Sequence, residues 1–168
     1  MTNSLNLPGE LFAMPEIQHI HPILVHFPIV LMYTLVIIDL AALANRNAVT
    51  TRTGVGTISS FAAAAAGMFA VGTWFFGGIA LDHAEAAGFS SQIAEIHEGL
   101  GEISAFGFLG WGLFRLALWV RNRELKTLGP AIPAIEIAGA ALVTVTAYYG
   151  GQLVYDLGVN VAKAAVVG

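Results

Sequence analysis

Four long apolar stretches, 22–43, 55–81, 100–120 and 132–154, constrain this chain more than any other feature. Each reaches the roughly 20 residues that a helix needs to cross the hydrocarbon core of a bilayer. Water cannot satisfy backbone groups there, so a lipid-embedded stretch of this length folds as a helix that pairs its own N–H and C=O groups. A soluble hairpin pair would show polar residues every third or fourth position, and the segment from Phe61 to Phe76 has almost none. Composition agrees. Only 11% of the residues are Asp, Glu, Lys or Arg, against about a quarter in soluble domains, and a mean hydropathy of +0.74 belongs to a chain solvated by lipid. The short links 44–54, 82–99 and 121–131 make the expected fold an all-α integral membrane protein. It is a single up-and-down four-helix transmembrane bundle over residues 1–168. Residues 155–168 form a tail. The lead-in 1–20 either lies along the interface, through Leu7, Leu11, Phe12, Met14 and Ile17, or is a flexible approach to the first span.

Charge sets the expected orientation. Arg46 and Arg52 flank the first link, and Arg115, Arg121, Arg123 and Lys126 flank the third, so only Lys163 lies on the side of the termini. Cytoplasmic loops retain Lys and Arg. Both termini and the second link are therefore expected on the extracytoplasmic, periplasmic side, where Glu10, Glu16, Asp82, Glu85, Glu95, Glu98, Glu102 and Asp156 collect. The first twenty residues contain no Lys or Arg and no apolar core, so no cleavable signal is expected. A net charge of −4 argues against nucleic acid as a partner. The absence of cysteine excludes thiolate metal sites and covalent c-type haem within the chain. Any metal falls to His, carboxylate or Met.

All five histidines, His19, His21, His26, His83 and His97, lie at the same ends of the spans, although the chain visits both faces of the membrane. In a closed bundle they share one layer. For His19 and His83 a solvated polar tip is the plainer reading. His26 lies a turn inside an apolar run, where a ring needs a partner, and Pro28 removes the backbone bond to Leu24, so a kink is expected near it. His21 and His26 are about 140° apart around a helix and cannot both face one atom. His97 stacks on Gly101, which leaves space beneath the ring for a porphyrin plane. Spans one and three stand diagonally in such a bundle, so a haem iron between two imidazoles is the leading expectation. His26 and His97 are the first pair, His21 comes next and His83 is held in reserve. Four candidate rings in one layer leave room for a second haem. Gln152 and Tyr155 are candidates to bond a propionate or a quinone oxygen. Non-haem iron, manganese or zinc held by His97, Glu98, Glu102 and another histidine, and copper or another transition metal gathered by His19, His21, His83 and the acidic surface at that end, are the metal alternatives. No histidine lies at the opposite face, which disfavours electron flow across the whole membrane through this chain alone. Asp39 and Glu136, near that face, are expected to pair with nearby Arg or backbone. The glycines and alanines of the spans suit close helix approach or a flat cofactor.

Three strings, HPILVHFPI at 21–29, HEGLGE at 97–102 and YYGGQLVYDLGVNV at 148–161, together resemble the bacterial membrane family called domain of unknown function 2231. The resemblance implies a four-helix protein of a bacterial inner membrane, with His21, His26 and His97 at motif positions. Where many relatives carry a histidine before the closing glycine, this chain has Leu157, for which His83 would have to substitute. The association of relatives with c-type cytochrome domains implies redox company. The expected function is a b-type haem subunit near the periplasmic face. It would pass electrons between a c-type cytochrome or periplasmic dehydrogenase and quinone, alongside other membrane subunits of a respiratory or dehydrogenase complex. A non-catalytic anchor or assembly subunit, and a copper-handling protein, are the alternatives.

Overall fold

The computed structural model describes residues 17–125, 129–159 and 161. The lead-in before residue 17, most of the tail, Lys126 and Lys163 lie outside the described residues. A 3-10 turn, Ile17–His19, leads into α1 (Ile20–Leu24), α2 (His26–Ala44), α3 (Gly54–Ala86), α4 (Gln92–Val120) and α5 (Ala131–Tyr155). Helices α1 and α2 together make the first span, so four helices are long and apolar enough to cross a membrane. Every regular element among the described residues is a helix.

The break at Val25 falls where the proline predicts it. Pro28 has no N–H for the carbonyl of Leu24, so α1 ends at Leu24 and α2 starts two residues on. The other boundaries differ from the expected ones. Helices α3 and α4 run through Asp82, Glu85, Glu95 and Glu98, which reduces the expected link 82–99 to residues 87–91. The acidic residues mark where the chain leaves the lipid. They do not break a helix, and Ala84, Ala86 and Ala87 favour one. The stop signal is Gly88, at φ +91, whose N–H binds the carbonyl of Glu85 at 2.8 Å while Phe89 N–H binds that of Ala84 at 3.1 Å. Helices α2 and α4 end in the same way on Arg46 (φ 57) and Asn122 (φ 48). Ser91 and Thr53 cap the starts of α4 and α3 by accepting from the N–H groups of Ile93 and Gly56.

Around the bundle α2 packs on α3, α3 on α4, α4 on α5 and α5 on α2, which leaves spans one and three diagonal. The pair α3 and α4 approaches most closely. A Cβ on Gly67 would stand 2.7 Å from Leu109 Cα, and one on Gly112 would stand 2.7 Å from Ala63 O, so backbone meets backbone. Large apolar residues face outward, among them Met68, Ile37 and Ile58, whereas the interior is built from Ala63, Ala66 and Ala70 around Met32, Leu35, Phe108 and Val143. A bilayer explains this inversion. Lipid solvates the large side chains, and small ones let the helices close.

Candidate functional site

Two of the five histidines meet. His21, on α1, reaches across to α3, where its Nδ1 donates to the carbonyl oxygen of Thr73 at 2.8 Å. His97, in the second turn of α4, reaches across to α5, where its Nδ1 donates to the carbonyl oxygen of Thr146 at 2.9 Å. A carbonyl only accepts, so each Nδ1 carries the proton, and each neutral ring keeps its lone pair on Nε2. No hydrogen bond occupies either Nε2 among the described residues. The ring centroids are 6.1 Å apart and the planes stand at 84°.

A glycine makes room for each ring. A Cβ at Gly77 would lie 2.9 Å from His21 Nδ1, and one at Gly150 would lie 2.8 Å from His97 Cε1. Holding one ring nitrogen on a backbone carbonyl is how proteins fix the tautomer and direction of a metal-ligating imidazole. A centroid separation of 6.1 Å is what one metal between the rings requires when both Nε2 atoms lie on the line that joins them. Two metal–nitrogen bonds of about 2.0 Å, with about 1.1 Å from each nitrogen to its ring centre, put the centroids about 6.2 Å apart on a straight line. A Cβ on Gly101, one turn along α4 from His97, would meet nothing within 4 Å.

The remaining candidates stand elsewhere. His26 is exposed on the outward face with Phe27 and Val30. Once His21 is seated on α3, the 140° between the two histidines turns His26 away from the interior. His21 therefore takes the position beside His97 that was expected of His26. His19 and His83 are exposed, as are Glu98 and Glu102. Among the described residues no three His, Asp or Glu side chains gather as a metal cluster, so the non-haem iron and copper sets expected from sequence are not assembled. Gln152 donates to the hydroxyl of Tyr148 at 3.3 Å, and Tyr155 is 88% exposed. Both lie about 140° or more around α5 from Gly150, on the face away from His97.

At the opposite end stands a closed polar cluster. Arg115 Nη1 donates to Asp39 Oδ2 at 2.7 Å and to Glu136 Oε1, and all three side chains have zero exposure. Arg115 Nη2 donates to Val49 O at 2.8 Å and to Ser59 Oγ at 2.5 Å. Ser59 in turn donates to Asp39 Oδ1, and Trp111 Nε1 donates to Glu136 Oε1 at 3.2 Å. Asp39 and Glu136 thus pair with an arginine, as expected. The sequence reading missed that one residue serves both, and it missed Thr73, Gly77, Thr146 and Gly150 as the seats of the histidines. A repeated string, TWFFGG at 73–78 and TAYYGG at 146–151, carries that signal.

The family model described as predicted membrane protein (DUF2231) matches residues 18–163. The chain belongs to this family. The match in DUF2231 begins just before the histidine-bearing first span and ends beyond the fourth, so it takes in both histidine seats and the arginine cluster. No curated protein and no solved structure matches the chain.

Proposed function

We propose that this DUF2231 protein is a membrane-embedded b-type haem protein, with His21 and His97 as the two axial ligands. One observation carries the reading: two rings 6.1 Å apart, each held by Nδ1 on a helix carbonyl, with no hydrogen bond on either Nε2 among the described residues. Two imidazoles, with no third His, Asp or Glu gathered beside them among the described residues, favour haem over a metal held by side chains alone, because a porphyrin brings its own equatorial nitrogens. Bound there, the haem supplies a one-electron Fe(III)/Fe(II) couple. The chain's own residues hold both rings in place through the carbonyls of Thr73 and Thr146, and His21 and His97 would hold the group between them. A haem held by two imidazoles would suit electron relay.

Arg46, Arg52, Arg121 and Arg123 cluster at the end remote from the histidines, which favours a periplasmic histidine end in a bacterial inner membrane. The donor or acceptor is then a c-type cytochrome, a periplasmic dehydrogenase or quinone, with other membrane subunits as partners. The test is the absorption spectrum of protein purified from haem-supplemented cells. A Soret band that sharpens on dithionite reduction, vanishes in His21→Ala and His97→Ala, and persists in His26→Ala and His83→Ala is expected. A colourless protein, or one that carries copper instead, overturns the reading. So does a Soret band that survives loss of His21.

A further inference from the structure

We infer that the chain is a tandem duplication of one two-helix unit. The Thr73–Gly77 and Thr146–Gly150 pairs are the duplicated seats that present His21 and His97 equivalently to one ligand on the pseudo-twofold axis. That this ligand is a metal centre bound alike from both sides rests on the haem reading, whereas the duplicated seats do not.

The first helices of the two halves correspond at an offset of 76 residues. His21 then matches His97, and the two pair with the carbonyls of Thr73 and Thr146. Buried Pro28, Met32 and Asp39 match buried Ser104, Phe108 and Arg115. The left-handed residues that end the helices, Arg46 and Asn122, match as well. The second helices correspond at an offset of 73, where Thr73 and Gly77 match Thr146 and Gly150. At the same offset Ser59, Ser60, Ala63, Gly67 and Ala70 match Ile132, Pro133, Glu136, Ala140 and Val143, and all ten are buried. A helix presents a given face by its register, so two helices that share a register of burial present the same face to the same surroundings. The order of packing repeats too. α2 lies on α3 as α4 lies on α5, while the two contacts between the halves are unequal, α3 standing closer to α4 than α5 does to α2. A unit of two spans returns to the side from which it started. Both copies therefore cross the membrane in the same sense, and the axis that relates them runs along its normal.

The correspondence explains the arginine end. Eighteen residues are about five helical turns, so Asp39 shares a face with His21, and Arg115 shares one with His97. Two copies of one residue would meet there in a symmetric ancestor. Opposite charges now meet instead, and the two halves are complementary at one end and alike at the other.

A double-mutant cycle of thermal stability on the full-length protein tests the seats without any need for haem. Gly77→Ala is expected to lower the melting temperature by about 5 °C beside His21 and to have almost no effect in a His21→Ala background. Gly150→Ala is expected to behave the same way with His97. Crossing the partners, Gly77→Ala with His97→Ala, gives no relief. Gly110→Ala, remote from both seats and where a Cβ meets nothing, shifts the melting temperature by the same small amount in every background. If a single glycine variant fails to fold, its double variant must still fold as well as the histidine variant alone. Failure of that rescue, or a cycle that couples at one glycine only, overturns the equivalence. A colourless protein in which both cycles couple would sink the haem reading and leave the duplicated seats standing.

Discussion

The two ends of the bundle solve opposite problems with the same geometry. At the arginine end, one guanidinium takes up two carboxylates, a serine and a loop carbonyl at zero exposure, and most of its donors are used. At the histidine end, each ring spends one nitrogen on a carbonyl and keeps the other free, in a half-buried setting. A charge inside lipid has to be neutralised within the protein. The arginine end therefore reads as the part that holds the helices in place, and the histidine end as the part held ready for something else. Loss of a group at the first should cost stability; at the second it should cost a ligand.

The largest contrast is expected from Arg115→Met. It strands two buried carboxylates, and breaking a buried pair costs about 3–5 kcal/mol. Loss of monodisperse protein on size exclusion would register it, while Asp39→Asn, which keeps the shape and removes a charge, should be milder. Next comes Gly67→Val, which forces a branched side chain into the backbone contact with Leu109. About 1–3 kcal/mol of destabilisation is expected for overpacking of this kind, read by a thermal melt. His97→Ala removes one hydrogen bond and should cost only about 1 kcal/mol while abolishing cofactor retention, measured as the haem-to-protein ratio. A large loss of stability there would erase the distinction between the two ends. The smallest effect is expected from Trp119→Phe, which loses a 3.0 Å bond to Thr57 in a half-buried position at the arginine end and should cost about 0.5 kcal/mol by the same melt, with no effect on the haem-to-protein ratio.

The spans were legible because lipid demands long apolar runs, and the break at Val25 because Pro28 leaves the carbonyl of Leu24 without a donor. The helix ends were not. The acidic residues around 82–98 mark the edge of the hydrocarbon, whereas the helices end where Gly88 and Asn122 turn left-handed. The histidine layer could be read from position alone, since every histidine lies at one end. Which ring faces inward depends on rotation about the helix, and that rotation is fixed by backbone carbonyls of Thr73 and Thr146 that no residue type announces. Only the repeat of TWFFGG in TAYYGG spells them out, and it becomes meaningful once the two strings are compared with each other. Arg115 was counted among the charges of a loop end, because a sequence does not show that Asp39 and Glu136 converge on it from different helices.

The most direct measurement is pulsed electron paramagnetic resonance on the oxidised protein with ¹⁵N-labelled histidine. Two equivalent imidazole nitrogens coupled to one low-spin ferric centre are expected, with the signal lost in His21→Ala and unchanged in His26→Ala. A single coupled imidazole, or a signal that disappears with His26 and not with His21, would contradict the account.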